Sequence, residues 1–264
     1  MANKISVGII GLGLIGGSIE KRLFELADKY EIKSVSKSQD RQFELKDLID
    51  VNVLFICCEQ SLVAQYLKEI AVLQCKNENA FAKTIITDVA STKNSIKNQA
   101  LKIGIKNFVP GHPMAGTEKQ GFENAFAELF ENAKWILDAQ QGEQQVLENI
   151  ITQDLKANIE YLDSETHDKA VALTSHLPLA LSVVLAKLGS EFSVANKTQG
   201  PGYKGMVRLA SGNVKMGQEI LDINRDNVKE IWNDFKLELD ALLEISGNDL
   251  ENELSTVKKQ LSQL

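Results

Sequence analysis

Residues 5–18 read ISVGIIGLGLIGGS. A short apolar run ends in the spacing Gly11-x-Gly13-x-x-Gly16 and passes into a segment of helical character that reaches about residue 28. A β-type run, a glycine turn and a helix in that order open a dinucleotide-binding unit: Gly11 permits the tight turn, Gly13 lets backbone approach a pyrophosphate, and Gly16 lets helix and strand pack closely. The helix offers unpaired N–H groups and the positive end of its dipole to that anion. Leu14 and Ile15, inside the turn, join the three glycines as candidate cofactor-binding residues.

From there to about residue 163, β-type runs alternate with helical segments. Strands are expected at 5–10, 32–36, 51–58, 84–87, 108–110, 135–137 and 159–162. The run VNVLFICC (51–58) is almost continuously apolar, as a strand covered on both faces should be. This pattern predicts an α/β fold, with a Rossmann-type, doubly wound and mostly parallel sheet over residues 1–164. Residues 37–50 barely supply a parallel crossover, so any helix there is confined to one or two turns. From residue 165 the β-type runs stop, and apolar residues recur at helical spacing, as at Val228, Ile231, Trp232, Phe235, Leu239 and Leu242. Residues 165–264 are therefore read as an all-helical domain. Leu250, Leu254, Val257, Leu261 and Leu264 form a terminal stripe whose spacing suits either core packing or a dimer seam.

Composition narrows the partners. The 264 residues carry a net charge of -7 and no basic block, which argues against nucleic acid. No apolar run looks long enough to span a membrane, and the first is too short for a signal-peptide core, so a cytoplasmic protein is expected. Cys57, Cys58 and Cys75 fit neither a disulfide framework nor a metal ladder, and no metal site is read.

The fingerprint predicts a carboxylate near the end of the second strand to bind the ribose of NAD. Ser36 and Lys37 stand there instead. A hydroxyl and a cation suit a 2′-phosphate, which favours NADP, whereas NAD is the alternative if Asp40, a little farther on, meets the ribose.

A second unusual stretch, GHPMAGTE (111–118), follows a short strand, where loops of α/β sheets present ligand sites. His112, flanked by glycines, is read there as a loop residue facing the cleft. Together with GLGLIGGS, TDVASTK (87–93), SHLP (175–178) and GPGYKGMVRLASG (200–212), it resembles the prephenate/arogenate dehydrogenase family, in that family's order and over essentially the whole chain. The resemblance implies oxidative decarboxylation of a cyclohexadienol with hydride transfer to NAD(P), and a homodimer formed through the helical domain. It further implies that His112 holds or deprotonates the ring hydroxyl, that Ser91 bonds the imidazole or that hydroxyl, and that Arg208 takes a carboxylate. His176, Gly116 and Thr117 would line the substrate, and Cys58 and Asp88 would sit beside the cofactor.

Two positions depart from the family pattern: Leu179 replaces a second histidine after SHLP, and Gly205 replaces an acidic residue before the arginine. They leave the choice between prephenate and arogenate open. A β-hydroxyacid or imine reductase of related architecture and a non-catalytic NAD(P)-binding sensor are the competing readings; GHPMAG speaks against the first, and His112, Ser91 and Arg208 together against the second.

Overall fold

The computed structural model describes residues 4–39, 43–117 and 119–262. Its first half runs β1 (Ile5–Ile10), α1 (Leu14–Phe24), β2 (Tyr30–Val35), a 3-10 turn (Leu45–Leu48), β3 (Val53–Ile56), α2 (Gln60–Lys76), β4 (Ile85–Asp88), α3 (Asn94–Ile103) and β5 (Phe108–Val109). These five strands are parallel in the order β2-β1-β3-β4-β5. Among the described residues the connection from β2 to β3 holds one such turn, as its shortness leads one to expect.

Alternation along the strands feeds two cores. Val7, Ile9, Val53 and Phe55 pack with Ile19 and Leu23 of α1 on one face. Ile10, Leu54, Ile56 and Ile86 pack with Leu67 and Ile70 of α2 and Ile96 and Ala100 of α3 on the other. Each large aliphatic side chain so enclosed stabilises the fold by about 1.5–3 kcal/mol. The sheet is doubly wound, as its apolar runs require.

A second, three-stranded sheet follows, built from β6 (Gly111–Pro113), β7 (Lys134–Leu137) and β8 (Asn158–Tyr161) in that order, with α4 (Gln145–Asn149) between the last two strands. β6 runs antiparallel to β7. The expected single sheet is thus divided, and His112, read as a loop residue, lies on a strand. Pro110 has no N–H to extend the β5 ladder, and its carbonyl accepts from Asp138 N–H at 3.0 Å, which turns the chain onto β7.

The rest is helical: α5 (Ser164–Val171), α6 (Leu177–Glu191), α7 (Pro201–Val207), α8 (Val214–Ile223), α9 (Arg225–Glu244) and α10 (Gly247–Leu261). Asp163 caps α5 by accepting from the backbone of Glu165 and Thr166. α5 and α6 are continuous through a π-helical turn, Ala172–His176, in which Leu177 N–H reaches back five residues to the Ala172 carbonyl. Pro178, in the first turn of α6, lacks the N–H that an unbroken α-helix would use there. The resulting run Ser164–Glu191, 28 residues, is long and apolar enough to cross a membrane by length and composition, contrary to the sequence reading. The broken polar spacing hid it: His167, Asp168 and His176 fall within it but are buried against neighbouring elements.

The turn from β1 to α1 is tightly constrained. Gly11 has φ +92°, and a Cβ there would lie 2.6 Å from the Cys57 carbonyl; at Gly16 it would lie 2.0 Å from the Gly11 carbonyl. At Gly13 nothing lies within 4 Å. Gly16→Ala is therefore expected to lower stability by roughly 3 kcal/mol in denaturant titration. Gly13→Ala should keep the wild-type Tm and weaken binding of the dinucleotide, measured by fluorescence titration.

Candidate active site

The strand order reverses beside β1, whose neighbours are β2 on one side and β3 on the other. Ligands of open α/β sheets bind outside the carboxyl ends of strands at such a switch point. The Gly11 turn abuts the backbone of Cys57 and Cys58 at the end of β3, so both lie at this crevice. α1 starts at Leu14 with Gly13 as its N-cap, no capping side chain and no acidic residue in its first turn. The first-turn N–H groups, at Leu14, Ile15 and Gly16, have no partner four residues back, and they suit the pyrophosphate of a dinucleotide. Burial pushes the Cys58 thiol up to about 12 and raises Cys57 as well, so both are uncharged walls.

Ser36 and Lys37 follow β2. The Ser36 hydroxyl accepts from Ser38 N–H (3.2 Å) and Gln39 N–H (3.3 Å), organising the loop, and Lys37 is exposed. Asp40 lies outside the described residues.

β4 ends in Asp88, fully buried and spent on the protein itself. Its carboxylate accepts from Ala90 N–H (3.0 Å), from Gly111 N–H (3.2 Å) and from the Lys93 ammonium. Lys93 Nζ also donates to the Gly111 carbonyl (2.6 Å). The Asp88 side chain thus staples β4 to β6 rather than facing the crevice, and it fixes the residue before His112. Burial lowers the Lys93 ammonium below its ordinary value, opposed by Asp88.

His112 is joined to a group that the sequence reading overlooked. Its Nδ1 lies 2.9 Å from Nε2 of His167 on α5, and His167 Nδ1 lies 2.8 Å from Asp168 Oδ1. Asp168 also accepts from the backbone N–H of Lys93 (2.8 Å) and Asn94 (3.0 Å), capping α3 from the helical domain. His176 enters the same cluster through Asn224, whose amide donates to His176 Nδ1 (2.9 Å) and to the Asp168 carbonyl (2.7 Å). Ser91, half-buried after β4, has no hydrogen-bond partner among the described residues. The signal available in the sequence was the doublet His167-Asp168, nine residues before His176, in a chain of only three histidines.

Arg208 opens a 3-10 turn, Arg208–Ser211, held against α6 by Ala210 N–H donating to Ser182 Oγ at 2.9 Å. Gly116 and Thr117 lie exposed beyond β6. Asn213 donates to Gln120 (2.9 Å), tying the chain just after the Arg208 turn to the chain just after Thr117. Ser61 donates to Glu219 (2.9 Å), and Lys215 pairs with Glu59 beyond β3. α8 therefore borders the crevice on the β3 side.

Burial, then the Lys93 ammonium, then His167 and His176 hold the His112 imidazole well below its ordinary value. Burial likewise takes His176 down to about 4, against the opposing pull of Asp168. Both rings are neutral bases in the folded chain. The unfolded chain takes up their protons near pH 6.5, the folded chain only at lower pH, so their contribution is complete above pH 6.5 and is lost as the pH falls. For His176 alone the loss between pH 7 and pH 5 is on the order of 2 kcal/mol. Urea unfolding at fixed protein concentration should show a shallower pH slope in His176→Gln than in wild type; equal slopes would contradict this.

Residues 15–161 match the family described as prephenate dehydrogenase, nucleotide-binding domain, and residues 163–260 match prephenate dehydrogenase, dimerization domain. The prephenate dehydrogenase of Lactococcus lactis subsp. cremoris is 30% identical over 261 residues, covering 91% of this chain and 71% of that protein. Arogenate dehydrogenase of Synechocystis superposes with a TM-score of 0.82 at 25% identity, over 98% of this chain and 99% of that one. Prephenate dehydrogenase from A. aeolicus, in complex with hydroxyphenyl propionate and NAD+, has the same fold, with a TM-score of 0.82 at 24% identity over 100% and 99% of the two chains. With family models covering residues 15–161 and 163–260 and a relative 30% identical over 91% of its length, the chain belongs to the prephenate dehydrogenase family.

Proposed function

We propose that this chain oxidatively decarboxylates prephenate or arogenate, passing hydride to NAD(P) and forming 4-hydroxyphenylpyruvate or tyrosine with carbon dioxide. The observation that carries the proposal is the His112 imidazole, held neutral beside a buried cation and anchored through one nitrogen, on the strand that follows the glycine crevice. Bound at the crevice, the oxidised nicotinamide supplies the hydride acceptor. His112 takes the proton of the ring hydroxyl as the C4 hydrogen departs as hydride. The ring carboxylate then leaves as carbon dioxide, its bonding pair completes the aromatic ring, and His112 returns the proton to the phenolic oxygen. A base of this kind contributes about 10²–10⁴-fold. Arg208 holds a substrate carboxylate through its guanidinium fork, with Gly116, Thr117 and His176 around the ring and Ser91 beside the hydroxyl. The labour divides at residue 164, between dinucleotide and substrate.

Lys37, exposed at the end of β2, and the absence of a carboxylate at Ser36 support NADP over NAD. The enzyme is read as cytoplasmic and homodimeric. Support for the dimer comes from the apolar side chains left open on the helical half, among them Leu188, Phe192, Leu237 and Leu243, each at least 57% exposed.

Purified protein mixed with prephenate or arogenate and NADP or NAD should generate reduced nicotinamide, followed by absorbance. His112→Asn should bind cofactor normally and lose kcat by about 10²–10⁴-fold, Arg208→Ala should mainly raise the substrate KM, and Lys37→Ala should weaken NADP more than NAD. Turnover of a hydroxyacid alone, or binding without reduction, would overturn the proposal. Light scattering should give twice the chain mass of 29.2 kDa; a monomer would contradict the dimer.

A further inference from the structure

The three histidines of the chain are tied to Asp168, His167 directly, His112 through His167 and His176 through Asn224, and their bonding order has a chemical consequence. We propose that His167 and Asp168 are positioning residues that fix neutral His112 in the tautomer with hydrogen on Nδ1, leaving the Nε2 lone pair as the base. The consequence for turnover rests on the reaction proposed above; the tautomer itself does not.

The bonding chain is ordered from its buried end. Asp168 Oδ1 and Oδ2 are each engaged by a backbone N–H at the start of α3, from Lys93 and Asn94, which fixes the carboxylate in one orientation. With both oxygens turned toward backbone N–H donors, the carboxylate stands as an acceptor on the side that faces His167. The hydrogen between Asp168 and His167 must then lie on His167 Nδ1. A neutral imidazole that donates at Nδ1 accepts at Nε2. That acceptor lies 2.9 Å from His112 Nδ1, so His112 donates there and Nε2 is its unprotonated nitrogen. The rings meet edge to face, 5.1 Å between centroids at 76°, as fits an in-plane N–H aimed at a neighbouring lone pair rather than a stack.

Asn224 orders the remaining ring in the opposite sense. Its amide oxygen accepts from Asn227 (2.7 Å), so its two N–H bonds go to the Asp168 carbonyl and to His176 Nδ1. His176 therefore accepts at Nδ1 and carries hydrogen on Nε2. The groups facing His112 are thus Lys93 before α3, His167 on α5 and His176 in the π-helical turn, with Asp168 behind His167. Once the substrate proton reaches Nε2, the new imidazolium charge is offset along the Nδ1–H bond toward Asp168 and opposed by Lys93. Orientation and basicity are then set by different residues.

Long-range ¹H–¹⁵N spectra of the imidazoles at pH 8 read the tautomers directly, and three histidines can be assigned by single substitution. The expected result is Nδ1–H for His112 and His167 and Nε2–H for His176. An Nε2–H tautomer at His112, or a doubly protonated His167, overturns the proposal whatever the substrate. In steady-state kinetics, His167→Leu should lower kcat by roughly a hundredfold with KM and cofactor affinity near wild type. His167→Gln should recover most of that loss, because its amide oxygen can accept from His112 Nδ1. A wild-type kcat in His167→Leu, or no recovery in a His167→Gln protein of wild-type Tm, overturns the proposal. The expected tautomers without turnover of any cyclohexadienol would support the positioning and sink the substrate reading instead.

Discussion

Asp168 is one residue with three duties, and the rest of the site depends on its buried carboxylate accepting hydrogen bonds. It caps α3 of the first domain from α5 of the second, it accepts from His167, and its own backbone carbonyl takes a hydrogen bond from Asn224 on the far side. Hydrogen bonds to an ionised group contribute about 1.5–3 kcal/mol each, and stripping one partner from such a buried group costs at least as much. The same bonds that hold the two halves of the chain together thus hold the ring pair. Domain packing and the orientation of the base are one interaction.

Lys93 supplies the counterweight. A buried ammonium close to an imidazole resists its protonation, and Asp88 is what keeps that ammonium tolerable in a dry interior. The pair also links β4 to β6, so the electrostatic setting of His112 and its place in space come from the same two side chains. Such sharing is economical in residues and makes single substitutions hard to interpret unless orientation and charge are read separately.

Much of this was legible along the chain wherever the signal is local. The glycine spacing, the run 51–58 and the short crossover each follow from steric or packing rules that act within a few residues, and the five parallel strands appear where those rules put them. The division into two sheets was not legible, because it turns on one proline, Pro110, whose carbonyl finds Asp138 far along the chain. His112 was singled out by its glycine flanks, yet its partner lies 55 residues away on a helix, and periodicity makes no distinction between a helical histidine that packs and one that orders a base. Asp88, read as a cofactor contact, is enclosed because Lys93 lies five residues on and folds back over it. The terminal stripe Leu250, Leu254, Val257 and Leu261 is amphipathic by any count, but only coordinates show that Leu254 and Leu261 remain more than half exposed in one chain; Leu264 lies outside the described residues.

In the proposed reaction an imidazole ordered by the helical half faces the reacting ring on the crevice made by the first half. A crystal structure of the protein with oxidised nicotinamide dinucleotide and a phenolic product analogue tests it most directly. The phenolic oxygen is expected about 2.6–3.2 Å from His112 Nε2, with His112 Nδ1 still bonded to His167. A phenol bound elsewhere, or a His112 ring that meets it through Nδ1, would contradict this geometry.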